Sequence, residues 1–171
     1  MLIRIASLDD IKGIAKVHVD SWKTTYKELI PDFALENLTY EAREELWKSV
    51  LSQENSKVKT FVAELDGEVI GFSSGGPERT KRYGYSGEIY TLYLLQEHQK
   101  KGIGKNLMRT LVSSLQEDGL NSIMVWVIEE NPSRAFYDSF SPEKVDVELI
   151  EEWNANEIAL GWKDAGTILQ K

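Results

Sequence analysis

The sequence predicts an α/β or α+β domain, and three features of it do so. Two β-rich runs flank Asp66-Gly67, amphipathic helical stripes lie both before and after them, and an apolar strand pattern follows a helix in the second half. At 171 residues the chain matches one domain spanning 1–171, with no repeat, low-complexity tract or linker to divide it.

Ile3 to Ala6 reads as a short strand. Ser7 followed by Asp9 and Asp10 starts a helix, with acidic residues at the positive end of its dipole. Ile11, Ile14, Ala15, His18 and Trp22 then fall at helical spacing. The stretch from Tyr26 to Leu38, interrupted by Pro31, reads as a turn plus a short helix, and a second long helix runs from about Thr39 to Leu51. Thr60–Leu65 and Glu68–Gly75 form a hairpin about Asp66-Gly67, a dipeptide suited to the left-handed geometry of a two-residue turn. Gly75 to Gly87 is polar and carries Arg79, Lys81 and Arg82, so a mobile loop is expected before the strand Glu88–Leu94. Ile103, Leu107, Leu111 and Leu115 make one helical stripe that Gly119 stops. A buried strand over Ser122–Ile128, a short helix over Pro132–Phe140 and strands over Lys144–Ile150 and Glu157–Trp162 complete the order.

The totals exclude several classes of function. With 28 Asp and Glu against 20 Lys and Arg, the net charge is −8, which argues against a nucleic-acid surface and mildly favours a cationic partner. The chain has no cysteine, so disulfides, thiolate metal sites and a covalent cysteine mechanism are ruled out. Asp9 and Asp10 interrupt the N-terminal stretch before a signal peptide can develop, and the apolar run Ile123–Ile128 is far short of a membrane span. A cytoplasmic protein without a membrane partner is expected. No His and carboxylate cluster has metal-ligand spacing, so no metal is expected either.

The informative segment is Gln99-Lys100-Lys101-Gly102-Ile103-Gly104-Lys105, set between a strand and an amphipathic helix. A helix N-terminus offers free N–H groups and roughly half a positive charge, and glycines let an anion approach the backbone. Two common phosphate motifs fail here. The dinucleotide fingerprint needs glycine where Leu107 stands, and the triphosphate loop needs glycine at Gln99 and Ser or Thr at Asn106.

The segment resembles the signature of the Gcn5-related N-acetyltransferase (GNAT) superfamily: Gln or Arg, two residues, Gly, one residue, then Gly or Ala, after a strand. Gln99 to Gly104 fits it, and the order of elements, with Asn131 and Phe136-Tyr137, extends the likeness over nearly the whole chain. The resemblance implies a mixed, mostly antiparallel sheet, splayed between its fourth and fifth strands and covered by helices on both faces. It also implies acetyl-CoA as co-substrate. Its pyrophosphate would be cradled by backbone N–H groups from Lys100 through Lys101, Gly102, Ile103 and Gly104 to Lys105, and its pantetheine arm would lie along Leu92, Tyr93 and Leu94. The alternative is that Gly102 only opens a tight turn and that Lys100 and Lys101 are solvated surface.

The same resemblance assigns catalytic roles. An alkyl amine with a pKa near ~10.4 leaves on the order of one molecule in a thousand nucleophilic at neutral pH, so a proton acceptor is needed. Glu88, eleven residues before Gln99, matches the general base of the superfamily's histone-modifying members, acting directly or through water; otherwise it is a strand-end carboxylate paired with Lys or Arg. The Leu92 N–H matches the oxyanion donor. Tyr137 matches the donor of a proton to the leaving thiolate, against a packing role beside Phe136. Asn131 matches a coenzyme contact, against a helix cap before Pro132. The family's usual glycine after the tyrosine helix is replaced by Ser141-Pro142, which leaves the entry into the last two strands open.

Acceptor recognition is expected from Trp22, Thr25 and Tyr26, whose rings could face a cation or simply pack the helix. His18 reads as a satisfied helix residue and His98 as an exposed loop residue. The expected activity is transfer of an acetyl group from acetyl-CoA to a primary amine of a small molecule. Alternatives are acetylation of a protein N-terminus or lysine, and an acyl-CoA-binding regulator with little activity. A homodimer is a possibility that the resemblance raises.

Overall fold

The computed structural model describes residues Met1–Lys171. Its strands are β1 (Leu2–Ile5), β2 (Lys59–Leu65), β3 (Glu68–Pro77), β4 (Gly87–Leu94), β5 (Ile123–Ile128), β6 (Glu143–Ile150) and β7 (Ala155–Trp162). The helices are α1 (Ile11–Thr25), α2 (Asp32–Glu36), α3 (Tyr40–Leu51), α4 (Ile103–Glu117), α5 (Arg134–Asp138) and α6 (Gly166–Leu169). One seven-stranded sheet runs in the order β1-β2-β3-β4-β5-β7-β6. Every neighbouring pair is antiparallel except β4 and β5, which are parallel.

The hairpin forms where Asp66-Gly67 predicts it, with φ of 52° and 84° at the two turn residues, the left-handed pair that matches strand twist. Thr39 caps α3 by accepting a hydrogen bond from the Ala42 N–H at 3.2 Å. Helix α4 ends in a paired C-terminal motif: Leu120 N–H donates to the Leu115 carbonyl and Gly119 N–H to the Gln116 carbonyl, with Gly119 at φ 83°.

Three boundaries differ from expectation. Strand β3 continues to Pro77 because Gly75, Gly76 and Pro77 pair with Ile89, Glu88 and Gly87, so part of the expected loop belongs to the sheet. The remaining loop is anchored at Glu78, a buried carboxylate that accepts from the Thr80 hydroxyl and from the Thr80 and Lys81 N–H groups. Helix α5 is shorter than the segment 132–140, and α6 has no counterpart among the expected elements. α6 follows buried Ala165, and buried Ile168 anchors it in the α4-side core.

Each face of the sheet carries its own core. On one face Ile14 and Val17 of α1 and Trp47 of α3 pack on Val62 and Phe72. On the other, Met108, Leu111, Val112 and Leu115 of α4 pack on Ile89, Val125, Val127, Ile158 and Leu160. His18 is buried in the first core, where its Nδ1 accepts from Trp47 Nε1 at 3.1 Å and its ring stacks on Tyr93 with centroids 5.2 Å apart.

Between β4 and β5 the sheet opens. The two strands pair only from Gly87↔Ile123 to Ile89↔Val125, yet β4 runs on to Leu94 and β5 to Ile128. A bulge starts the divergence: against β3, the register steps from Gly75↔Ile89 to Ser74↔Thr91, leaving Tyr90 as the extra residue. An extra residue bends a strand and strengthens its twist, here away from β5.

Candidate active site

The gap between the strands opens into a cleft of about 750 Å³ that passes from the α1 face to the α4 face. Its walls are the free stretch of β4, the facing part of β5, the turn before α4, and α5 with the loop before it. Asn131 and Tyr26 meet across the gap, with Asn131 Nδ2 3.4 Å from the Tyr26 hydroxyl oxygen.

At the α4 end the geometry suits an anion. The Asn106 N–H closes the first helical turn on the Gly102 carbonyl at 3.1 Å, so the N–H groups of Ile103, Gly104 and Lys105 have no partner within the helix. Gly102 sits at φ 81°, and a Cβ built on it would meet nothing within 4 Å. The turn therefore requires glycine for its conformation and leaves the approach to the backbone open. Lys100, itself at φ 61°, and Lys105 line the cleft, whereas no Asp or Glu does. In a chain of net charge −8, that is a local reversal of sign.

The cleft also holds polar groups in want of partners. The hydroxyls of Ser21 and Thr91, both among the lining residues, are enclosed and make no hydrogen bond. Such groups cost about 1–3 kcal/mol each if left so. These observations fit a long ligand with phosphates at one end and amides along its arm, which is the chemistry of coenzyme A.

Of the residues singled out from sequence, Thr25, Tyr26, Leu92, Tyr93, Leu94, Gln99, Lys100, Gly102, Gly104, Lys105, Asn131 and Tyr137 all line this cleft. Gln99 is fixed by its Nε2, which donates to the Leu94 carbonyl at 3.1 Å. Asn131 serves as a cap too, since its Oδ1 accepts from the Ser133 N–H at 2.8 Å. Tyr137 is buried; burial, then the neighbouring Tyr93, holds its hydroxyl above the usual tyrosine range.

Four residues stand outside the lining. Ile103 turns its side chain into the core with Leu94 and Leu107. Lys101 Nζ donates to the Glu97 carbonyl at 2.9 Å. Trp22 lies just behind the wall, its Nε1 donating to the Tyr93 hydroxyl at 2.8 Å, with its ring against Tyr26 at 4.8 Å and Trp153 at 6.1 Å. Glu88 lies on the paired part of β4, opposite Met124. It is 1% exposed, and both its oxygens are held by Arg79: Nη2 donates to Oε1 at 2.5 Å, and the backbone N–H to Oε2 at 3.1 Å.

Sequence reasoning passed over Trp126, Tyr90 and Arg79. Trp126 lines the cleft from β5, on the strand face it shares with Met124 and Ile128; an aromatic at that alternate position was the available signal. Arg79 stacks over the Tyr90 ring at 4.5 Å while holding Glu88. No group of three His, Cys, Asp or Glu side chains is arranged to hold a metal ion. No helix is long and apolar enough to cross a membrane.

A splayed mixed sheet with a glycine-opened helix start at the gap defines the acyl-CoA-dependent N-acetyltransferase class. Comparison with known proteins agrees: the model of the acetyltransferase (GNAT) family matches residues 22–141. The chain belongs to that family. It is 45% identical to the uncharacterized N-acetyltransferase YuaI of Bacillus subtilis (strain 168), over 97% of this chain and 95% of that one. It is 27% identical to a spermidine N(1)-acetyltransferase of Thermoplasma acidophilum, over 75% and 79% of the two chains. Among solved structures, the PaiA N-acetyltransferase of Thermoplasma acidophilum in complex with coenzyme A superposes with a TM-score of 0.74 at 24% identity, covering 95% of this chain and all of that one. The fold is thus that of the family.

Proposed function

We propose that this enzyme transfers an acetyl group from acetyl-CoA to a primary amine of a small molecule that enters the cleft from the α1 face. The observation that carries this reading is the polarity of the cleft. Free amides and two lysines lie at its α4 end, while Ser21, Thr25, Tyr26 and Trp126 line the other, with the Glu157 carboxylate of β7 near enough to Tyr26 and Tyr93 for its charge to act on their hydroxyls. An anionic donor and a cationic acceptor would then approach from opposite faces and meet in the gap. The spermidine acetyltransferase relative supports a cationic small amine as acceptor.

Bound acetyl-CoA would supply an acetyl thioester that an uncharged amine can attack. The start of α4, with Gly102 and Gly104, would hold the diphosphate, and Lys100 and Lys105 would add charge. Leu92, Tyr93 and Leu94 would offer the unpaired edge of β4 to the arm, with Asn131 as a further contact. The Leu92 N–H would donate to the acyl oxygen. The Tyr137 hydroxyl, kept protonated by its burial, would give its proton to sulfur. Glu88 could accept the amine proton only after release from Arg79.

A thiol-release assay tests this. Purified protein with acetyl-CoA is offered spermidine, phosphinothricin, free amino acids and a lysine-bearing peptide. Steady turnover on a small amine, exceeding that on the peptide, is the expected result. Turnover on the peptide alone moves the activity to protein acetylation, and no turnover on any amine refutes the enzymatic reading.

A further inference from the structure

Glu157 sits near the start of β7, opposite Ile128, where the sheet has already opened. Strand alternation fixes its direction. Ile158, Leu160 and Trp162 point into the α4-side core, whereas Ala159 packs on the other face with Met124, Tyr85 and Trp126. Glu157 shares that second face, one alternate position along β7 from Ala159, which pairs with the cleft residue Trp126. The small residues that follow it there, Ala159 and Gly161, leave the space above the strand to the aromatics.

Its surroundings resemble a binding site for an ammonium group. At the mouth, Trp22 contacts both Tyr26 and Trp153, and Trp153 closes the turn from β6 into β7, so aromatic rings and a carboxylate converge. Glu148 stands directly opposite Glu157 on β6, but Arg82 and the Tyr83 hydroxyl occupy it. Glu88 is occupied by Arg79. The Glu157 side chain, by contrast, makes no hydrogen bond or ion pair. Two carboxylates facing each other across strands repel, and a cation between the face of the sheet and α1 would relieve this.

We propose that Glu157 is the carboxylate that holds the acceptor's ammonium group and receives its proton, and that Glu88 is the structural partner of Arg79. This rests on the small-amine reading above. The step balances as follows: one proton passes from the ammonium nitrogen to the Glu157 carboxylate, the nitrogen–carbonyl bond forms, and the carbon–sulfur bond breaks with its electron pair on sulfur. Sulfur takes the Tyr137 proton, the second proton of the attacking nitrogen passes to the Tyr137 oxygen and restores its hydroxyl, Glu157 loses its proton to water, and the net release is one proton per turnover. The groups facing Glu157 are Glu148 from β6, Glu88 from β4, Arg79 from the loop before β4, and the hydroxyls of Tyr26 and Tyr93. Burial first, then Glu148, raises the Glu157 carboxyl above its ordinary value, with Arg79 opposing, which makes it a better proton acceptor than an exposed glutamate.

The test compares wild type, Glu157→Gln, Glu157→Asp and Glu88→Gln. The pH dependence of kcat/KM with spermidine and phosphinothricin is measured beside CoA calorimetry and carbon-13 titration of the glutamate carboxyls. The expectation is that Glu157→Gln lowers kcat/KM by about 100-fold or more at neutral pH and loses the acidic limb of the profile. Its affinity for CoA should stay at the wild-type value, which also shows that it folds. Glu157→Asp should recover part of the rate, and Glu88→Gln should keep the limb and lose thermal stability. Retention of the limb in Glu157→Gln, with its loss in Glu88→Gln, overturns the proposal. Should wild type bind CoA but acetylate neither amine, the small-amine reading fails. The assignment then stands on the carboxyl resonance of Glu157: a midpoint at or below that of an exposed glutamate overturns it, and a higher midpoint that added spermidine shifts supports it.

Discussion

At the scale of single residues, the fold treats its ionisable groups in two distinct ways. His18 is held neutral in an aromatic cage: burial, with Arg43 adding to it, pushes its pKa down from 6.5 to about 3. The folded value lies below the unfolded one, so His18 favours the native state fully above pH 6.5 and progressively less as pH falls toward 3. Stability should drop by up to about 1.4 kcal/mol per pH unit across that window from this group alone. Urea titrations at pH 7 and pH 5 on wild type and His18→Gln should show a smaller loss in the variant. Tyr137 is the opposite case, a hydroxyl with no bonded partner in a buried ring. Tyr137→Phe should therefore leave the melting temperature within about 2 °C, because no hydrogen bond is lost, and lower kcat by about tenfold or more in the thiol-release assay. An unchanged kcat would limit Tyr137 to packing against Phe136, where the ring centroids are 5.1 Å apart.

At the scale of elements, much was legible from sequence because local rules decided it. The Asp66-Gly67 hairpin, the α4 stripe with its Gly119 stop and the glycine turn at 102–104 depend on residues within one or two turns of each other. What was not legible depends on distant neighbours. Nothing in Glu88 or its flanks shows that Arg79 holds it, since that pairing is set by how the loop at 78–86 folds back on β4. Helix α6 has only four residues and follows from the pocket that takes Ile168. The substitution of Ser141 for the family's usual glycine resolves simply: Ser141 itself takes the left-handed conformation, φ 57°, and the chain turns as glycine would. That costs about 1 kcal/mol for a side chain, so Ser141→Gly should raise the unfolding free energy read from a urea titration by up to that amount, in the absence of any change in activity. Helix α4 makes a sharper demand. Gly102→Val should weaken CoA binding by about tenfold or more in calorimetry, through strain at positive φ and a side chain over the anion site, while far-ultraviolet circular dichroism keeps its native shape.

At the scale of the whole molecule, charge and topology act together. A chain of net charge −8 would repel a polyanion, and the proposed coenzyme site is the place where a helix start, two lysines and the absence of lining carboxylates reverse the local sign. The bulge at Tyr90 opens the sheet at that point, and the parallel run of β4 beside β5, three residue pairs long, keeps the opening at one end. The sheet order and the splay were readable only through the family resemblance, because no local signal in β4 or β5 says that their pairing stops. Membership of the acetyltransferase family carries the general activity, and the polarity of the cleft carries the direction from which each reactant would come. The most direct test of that arrangement is calorimetric titration of the folded protein with acetyl-CoA and CoA at low and high salt. Saturable binding at one site per chain, weakened by salt and by Gly102→Val, is the predicted result. No measurable heat from either compound, at concentrations where a small amine binds, would contradict it.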